Sequence, residues 1–222
     1  MNSDTFGIVL FGDIVRSRDD AQASTAWLEE LCIRLDQAYA GETLAPFDFT
    51  QGDEIQGLLA TTSDPFRAVL DAALQEHRGK NRVPSMRWVV VAGRVDPGRG
   101  PATRRTGEAF VRARETLEIA TRRGDGLLCR TGDPDADALL DGTAPVLAAI
   151  IEDMTDRQRV VARLALVEGL RQADIAERLE VARPTVSVSY ARGDVRNLER
   201  LVGAVRAIWS QGLERVLEAA SA

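Results

Sequence analysis

Along residues 1–130, short apolar runs alternate with segments in which apolar residues recur every three or four positions. This pattern predicts short strands interleaved with amphipathic helices. Apolar runs that are rich in β-branched residues and bounded by turn residues are typical of buried strands. Apolar residues that recur every three or four positions are typical of helices packed on a core. In chain order we predict strand 6–15, helix 22–40, a hairpin of strands near 47–49 and 55–59, helix 64–76, strand 87–95, helix 108–121 and strand 126–130.

This order of elements divides the chain into two domains. Helical crossovers between strands of one sheet favour an α/β (α+β) domain of ferredoxin-like type over residues 1–130. Residues 131–145 are rich in Gly, Asp and Pro, a composition that predicts a linker with room for one short helix. From residue 146 onward every segment has the helical period, so we expect an all-α domain over 146–222.

The charge balance separates the same two parts of the chain. The 222 residues include 28 Lys and Arg against 34 Asp and Glu, a net charge of −6 that by itself disfavours nucleic acid as a partner. The acidity is local, because residues 1–150 hold 17 basic and 23 acidic residues whereas residues 151–206 hold 10 and 9. No apolar run is long enough for a transmembrane helix and no leader pattern opens the chain, so we expect a soluble, cytoplasmic protein without membrane partners.

The few cysteines and the single histidine argue against several kinds of site. Cys32 and Cys129 lie far apart and outside any CxxC, which disfavours a zinc site and a disulfide framework, so we expect both to be buried apolar residues. His77 has no Ser or Cys neighbour in the sequence, and no GxxxxGK[ST] phosphate loop is present. The cysteines and the histidine therefore provide no candidate for a catalytic side chain.

Residues 169–192, GLRQADIAERLEVARPTVSVSYAR, carry the most specific pattern in the chain. A helix containing Ile175 and the small Ala176 is followed by a tight turn at 180–182 and by a second helix. The segment resembles the helix-turn-helix of sigma-factor region four and of many response regulators, with Glu180 where glycine is more usual. We expect Glu180 to adopt the left-handed conformation that this turn requires.

In such a module the second helix enters the major groove of double-stranded DNA, where its N-terminal residues meet base edges and phosphates. The resemblance places six candidate DNA-binding residues on that helix: Arg183, Thr185, Ser187, Val188, Ser189 and Arg192. Arginines neutralise phosphates or pair with guanine, hydroxyls donate to phosphates or bases, and valine suits the thymine methyl group. The alternative is an ordinary helical hairpin whose Ser/Thr face is only solvated.

A long amphipathic helix is predicted over residues 194–219, and its apolar stripe exceeds what a small helix-turn-helix needs. The stripe consists of Leu198, Leu201, Val202, Val205, Ile208, Trp209, Leu213 and Val216. Two arrangements remain open, packing on the first domain or pairing with the same helix of a second subunit. The second arrangement gives a homodimer that reads a palindromic operator.

Two aspartates of the first domain are candidates for a metal site. Asp13 closes the first predicted strand, and Asp53 lies in the turn of the hairpin expected beside it. Hard divalent cations take carboxylate oxygens from more than one element, so the pair predicts a site for Mg²⁺ or Mn²⁺. The sequences Gly12-Asp13-Ile14 and Gly52-Asp53-Glu54 resemble the metal-binding segments of class III nucleotide cyclases.

The chain departs from those cyclases at two places, and it resembles another family more closely. The base-selecting lysine of the cyclases corresponds to Phe49, and the asparagine of their later helix is absent. Over nearly its whole length the chain resembles the SatD family of bacterial proteins, which we expect to combine a cyclase-like N-terminal domain with a DNA-binding one. The motifs that carry the resemblance are GDIVRSR (12–18), QGDEIQGLL (51–59), RWVVVAGRV (87–95) and GEAFVRAR (107–114).

These residues predict a DNA-binding transcriptional regulator whose first domain is a non-catalytic sensor of a nucleotide or another small molecule. The candidate ligand-binding residues, besides the metal-binding Asp13 and Asp53, are Arg16, Arg18, Glu54, Gln56, Gly107, Arg112 and Arg114. The arginines would face an anion such as a nucleotide phosphate, and Gly107 would offer its backbone N–H at the start of a helix. Two alternatives stay open: the aspartates cap turns and pair with the arginines, or the chain is a metal-dependent, cyclase-like enzyme tethered by its helix-turn-helix.

Overall fold

The computed structural model of the chain describes residues 5–15, 21–50, 53–75 and 85–221. These residues form five β-strands and eight α-helices, a mixed α/β architecture whose elements follow the predicted order. The strands are β1 (Thr5–Ile14), β2 (Thr43–Phe49), β3 (Glu54–Leu59), β4 (Met86–Val95) and β5 (Leu127–Arg130). The helices are α1 (Ala21–Ala38), α2 (Phe66–Ala73), α3 (Glu108–Arg123), α4 (Pro134–Glu152), α5 (Asp156–Leu166), α6 (Gln172–Arg178), α7 (Arg183–Arg192) and α8 (Val195–Ser221).

The five strands form one mixed sheet in the order β2-β3-β1-β4-β5. The central strand β1 is antiparallel to both β3 and β4, and β2 is antiparallel to β3. Strand β5 is parallel to β4, as expected when a helix, here α3, joins two neighbouring strands. The register places Asp13 of β1 opposite Glu54 of β3 on one side and opposite Arg87 of β4 on the other.

Both faces of the central strand are covered. Successive side chains of a strand point to opposite faces. On one face, Ile8 and Leu10 of β1 belong to a hydrophobic cluster with residues of α1, α2, α4 and α8. On the other face, Val9 and Phe11 pack with α3. Because neither face meets water, β1 is a nearly continuous apolar run rather than an alternating one.

Residues 131–145, predicted as a linker, lie mostly in helix α4. The Asp133 side chain accepts a hydrogen bond from the Ala136 N–H at 2.8 Å, and Pro134 occupies the first helical turn. Leu140 and other apolar residues of α4 are buried. The helix, at 19 residues, is longer than the one short helix expected within a linker, because the cap and the buried face outweigh the cost of one glycine and one proline inside it.

The apolar stripe of α8 packs within the chain. Its buried apolar residues are at most 5% exposed: Val195, Leu198, Val202, Val205, Trp209 and Leu213. They belong to the same hydrophobic cluster as Ile8 and Leu10 of β1. The Trp209 ring lies edge-on to Phe66 of α2, with 5.9 Å between the ring centroids. The structure shows the stripe packed within the chain, mainly on α4 and, through Trp209, on α2 of the first 130 residues.

Charged contacts also join the C-terminal helices to the first 130 residues. Asp71 of α2 is 7% exposed; it accepts a hydrogen bond from Arg163 of α5 at 2.8 Å and pairs with Arg34 of α1 at 3.4 Å. Arg206 of α8 pairs with Asp64, just before α2, at 2.6 Å. Apolar packing and ion pairs therefore act together at this junction.

Two further expectations concern membrane spans and cysteines. Of the helices described, none has both the length and the apolar character needed to cross a bilayer. Cys32 and Cys129 are buried free thiols, as predicted. Burial raises the pKa of the Cys32 thiol to about 12, so this side chain is a packing residue rather than a thiolate nucleophile.

Candidate functional site

A group of charged side chains lies where β1, β3 and β4 meet, on the face that α3 covers. Asp13 of β1 and Glu54 of β3 are paired across the two strands. Directly opposite side chains of antiparallel strands are about 5 Å apart, so this register brings the two carboxylates together. Arg87 of β4 and Arg114 of α3 supply two guanidinium groups. We call these four side chains, together with Gln56, the carboxylate–arginine cluster.

Glu54 is held firmly by its neighbours in this cluster. Arg114 donates to both carboxylate oxygens, with Nη2 at 3.0 Å from Oε1 and Nη1 on Oε2, and Gln56 Nε2 donates to Oε1 at 2.7 Å. The Arg114 guanidinium also lies over the Phe11 ring, 4.9 Å from its centroid. A bidentate pair stacked on an aromatic ring has a fixed geometry, so Glu54 is satisfied by protein groups alone.

Asp13 has much weaker support than Glu54. Burial and the neighbouring Asp53 carboxylate raise the pKa of Asp13 from 3.8 to about 6. The opposing attraction comes from Arg87, whose Nη1 lies 3.7 Å from Asp13 Oδ2. The backbone of Asp53 is held beside β1, because the Ile14 N–H donates to the Asp53 carbonyl at 2.9 Å. The aspartate pair therefore carries an excess of negative charge that a proton or a cation would relieve.

The structure brings the predicted metal ligands, Asp13 and Asp53, close enough for their charges to interact. Within the described ranges, no group of three or more His, Cys, Asp or Glu side chains is arranged to hold a metal ion. Glu54 on the neighbouring strand is bonded to Arg114. Two repelling carboxylates suit a hard divalent cation such as Mg²⁺ or Mn²⁺, which keeps water in its remaining ligand positions.

Not all predicted ligand residues gather at this cluster. Arg112 lies on α3 like Arg114, but its Nη1 donates to a backbone carbonyl of β4 at 3.3 Å. Gly107 lies at the opposite end of β4 from the cluster, with φ +128° and so close to β4 that a Cβ would be 2.7 Å from Val95 Cα. Its glycine character is explained by this close approach. Arg16 and Arg18 lie outside the described residues.

Two residues of this region are absent from the predicted site. Arg87 enters the prediction only as the first residue of a strand, and Phe11 only as part of a buried run. A lone arginine at the head of an otherwise apolar strand is a usable signal, but its partner Asp13 follows from the β1–β4 register. A single sequence does not give that register.

The second candidate site is the helical unit α5–α7. Its three helices share a small hydrophobic cluster of buried residues: Val161, Leu164, Ile175, Ala176 and Val186. Glu180 adopts the left-handed conformation, with φ +52°, and Val181 packs against this cluster. The two helices and the turn that the sequence predicts for this segment are therefore present.

One face of α7 is open to solvent while Val186 anchors the other in the cluster. The exposed candidate DNA-binding residues are Arg183, Thr185, Ser187, Val188 and Arg192. Val188 is 49% exposed, so its side chain is accessible to a partner. Ser189 is half-buried and its hydroxyl donates to the Thr185 carbonyl at 3.0 Å. While that hydrogen bond is kept, the hydroxyl oxygen can only accept a hydrogen bond from DNA.

No protein-family model matches this chain, and no curated protein is detectably similar to it. Its function is therefore inferred from the two sites themselves.

Proposed function

We propose that the chain is a cytoplasmic, DNA-binding transcriptional regulator, and that α7 is the helix that enters the major groove. The observation that carries the proposal is the exposed face of α7, fixed from behind by the buried Val186 and by the Glu180 turn. A recognition helix needs this combination, because base contacts require both an open polar face and a rigid support. Exposed Arg183 and Arg192 suit phosphate or guanine, and exposed Val188 suits a thymine methyl.

The charge of this unit makes a homodimer the better DNA-binding form. Residues 151–206 hold 10 basic and 9 acidic residues, so the attraction of one subunit to the phosphate backbone is modest. Two linked subunits bind two half-sites at a raised effective concentration. Because the α8 stripe packs within the chain, the contact between subunits in this proposal uses another surface.

The sheet half of the chain, in this proposal, is a non-catalytic sensor with a ferredoxin-like, cyclase-like core of the SatD family type. The strand order β2-β3-β1-β4, with antiparallel neighbours throughout, supports the core assignment. The two most specific motifs of the resemblance, GDEIQG and GEAFVRAR, also meet in space, through the Glu54–Arg114 pair. A ligand that prefers the DNA-competent arrangement over the other would regulate binding.

The ligand of this sensor would meet two kinds of group. An anion such as a nucleotide phosphate would have to compete with Glu54 for Arg114, which is bonded on both oxygens. A divalent cation would instead find the mutually repelling Asp13 and Asp53. Cation-assisted binding at the aspartates is therefore the easier route, with Mg²⁺ or Mn²⁺ supplying the positive charge that holds an anionic ligand.

DNA binding is tested with duplex recovered from a genomic pull-down, using fluorescence anisotropy over a range of salt concentrations. We expect Arg183→Ala and Arg192→Ala each to weaken binding, and a lost phosphate contact to reduce the salt slope by about 1. Arg122→Ala, an exposed arginine of α3, is the matched control and should leave binding unchanged. Unchanged affinity in both α7 variants would contradict the assignment of the recognition helix.

The metal site is tested by thermal unfolding at pH 7.5 with MnCl₂ or MgCl₂. A cation at a hundredfold excess over its Kd should stabilise the wild type by about 2.7 kcal/mol, and Asp13→Asn should abolish the effect. Glu115→Gln, an exposed carboxylate of α3, serves as control. If neither ion raises the unfolding temperature of the wild type, the metal site is contradicted. In a separate assay, a cyclic product formed from ATP or GTP would overturn the non-catalytic assignment.

A further inference from the structure

An open cleft of about 450 Å³ lies at the junction between the sheet half of the chain and the helical unit. Its walls are formed by α1, α2 and the C-terminal end of α5. The volume falls within the range of about 300–1,000 Å³ that is usual for small-molecule sites. The charged or polar residues of the lining are Arg34, Gln37, Arg67, Asp71, Arg163 and Glu168, none of which belongs to the two candidate sites described above.

The side chains of this cleft carry more positive than negative charge. Three arginines line it together with two carboxylates, Asp71 and Glu168, which leaves a net charge of +1. Arg163 holds both carboxylates, because its Nη2 donates to Asp71 Oδ1 at 2.8 Å and its Nη1 donates to Glu168 Oε1 at 2.6 Å. The positive excess of the cleft therefore lies on the other two arginines, Arg34 and Arg67.

Arg67 is held in place without a carboxylate partner among the residues that the structure describes. Its Nη1 donates to the Ala38 carbonyl at 2.8 Å, and its guanidinium lies over the Tyr39 ring, 5.6 Å from the centroid. Within the described ranges, its Nε and Nη2 have no acceptor and stay available as donors. Arg34 contacts Asp71 Oδ2 through Nε at 3.4 Å, and 32% of its side chain is exposed. Both guanidinium groups can therefore accept a further anionic partner.

Guanidinium groups bind phosphate and carboxylate oxygens through pairs of parallel N–H···O bonds. We propose that this cleft is a binding site for a small molecule that carries an oxyanion group, phosphate or carboxylate, and that Arg67 and Arg34 bind this group together. Asp71 and Glu168 stay bonded to Arg163, so the ligand adds to the existing ion pairs and does not have to replace one.

The site would connect the two halves of the chain. Arg34 belongs to α1 and Arg67 to α2, whereas Arg163 belongs to α5, the first helix of the unit that carries the helix-turn-helix. A ligand held between these helices favours the arrangement described here over one in which they separate. Any effect of the ligand on DNA rests on the function proposed above.

The site is tested by titrating the full chain with inorganic phosphate or with succinate, at an ionic strength held constant with NaCl. The readout is the arginine Nε–H region of a ¹H–¹⁵N spectrum, in which the Arg67 signal is assigned with Arg67→Gln. We expect a saturable shift of the Arg67 signal, and the anion that causes it at the lower concentration identifies the oxyanion group. Because no DNA is present, the result is independent of the proposed regulator function.

Charge variants of exposed glutamines locate the site. Gln37→Glu adds a negative charge to the lining and should weaken anion binding several-fold by repulsion, whereas Gln211→Glu on α8, outside the cleft, should leave it unchanged. Arg34→Gln should weaken binding about tenfold, the factor that corresponds to about 1.4 kcal/mol for a charged hydrogen bond. No saturable Arg67 shift at millimolar phosphate or succinate, or equal affinities of the two glutamate variants, overturns the proposal.

Discussion

Asp13 and Glu54 face each other across two strands, yet their surroundings give the two carboxylates different properties. Glu54 is bonded on both oxygens by Arg114, which is itself stacked on a buried ring. Asp13 has the more distant Arg87 as its partner and the repelling Asp53 beside it. Removing Glu54 would leave a guanidinium without its counter-charge, whereas neutralising Asp13 relieves an unfavourable interaction.

The stability of the protein should therefore depend on the protonation of Asp13. Its pKa is raised from 3.8 to about 6 on folding, so between these values the folded state binds more protons than the unfolded state. The contribution of Asp13 to the free energy of unfolding consequently falls as pH rises from about 4 to about 6, by at most ~3 kcal/mol. Urea denaturation of wild type and Asp13→Asn, at steps between pH 4 and pH 8, measures this difference.

We expect Asp13→Asn to be more stable than wild type at pH 8, with the advantage shrinking towards pH 4. Comparing the two proteins at each pH cancels the titration of the other carboxylates. Glu115→Gln on the outer face of α3 is the control for the loss of a carboxylate that lies outside the cluster. A difference between Asp13→Asn and wild type that is constant across this range would contradict the raised pKa.

At the scale of elements, the contact between α4 and α8 depends on one glycine. At Gly212 of α8 a Cβ would lie 2.5 Å from Ala136 Cβ of α4 and 2.8 Å from the Thr131 hydroxyl. Gly203 belongs to the same helix, and a Cβ there would meet nothing within 4 Å. Substitutions at the two glycines therefore distinguish two effects. Steric contact between α4 and α8 acts only at Gly212, whereas the intrinsic cost of glycine in a helix acts at both positions.

Alanine at these two positions should change stability in opposite directions. Gly212→Ala forces α4 and α8 apart and should lower the free energy of unfolding by about 1–3 kcal/mol. Gly203→Ala adds a helix-favouring residue on the exposed side and should raise it by up to about 1 kcal/mol. Urea denaturation measures both variants. Equal effects of the two substitutions would show that α8 does not approach α4 as described.

At the scale of the whole molecule, a single hydrophobic cluster joins parts of the chain that the sequence assigns to separate domains. It runs from Ile8 of β1 to Leu213 of α8. Asp71 adds an ionic contact at the same junction, between Arg34 of α1 and Arg163 of α5. We therefore expect urea to unfold the chain in one cooperative transition, with tryptophan fluorescence and circular dichroism coinciding.

The Asp71 contact should contribute measurably to that transition. Asp71→Ala leaves two guanidinium groups without the carboxylate that they share. Removing one partner of a buried ion pair typically costs several kcal/mol, so we expect the free energy of unfolding to fall by about 3 kcal/mol. Arg215→Ala is the control, because Arg215 is half-exposed in its pair with Asp133 and should cost less than about 1 kcal/mol. Similar small losses in both variants would show that Asp71 does not bind the helical unit to α2.

The prediction of individual elements succeeded where the governing interactions are local. The long β-branched run of β4 and the turn at Glu180 depend on residues within a few positions of each other, and both are present. Helix α4 is longer than the one short helix predicted within residues 131–145, because the Asp133 cap and the buried apolar face support a helix despite the glycine and proline inside it. Of the carboxylate–arginine cluster, the sequence predicted Asp13, Glu54, Gln56 and Arg114 but not Arg87.

The sequence by itself determined the order of the strands and of most helices, the two helices and the turn of residues 172–192 and the burial of both cysteines, because periodicity and turn geometry are properties of short segments. Only the tertiary structure decided which charges meet. Glu54 and Arg114 are 60 residues apart, and their contact follows from the placing of α3 over the sheet. It also decided that the α8 stripe packs within the chain, mainly on α4, since an amphipathic helix specifies that its apolar face must be covered but not by which surface.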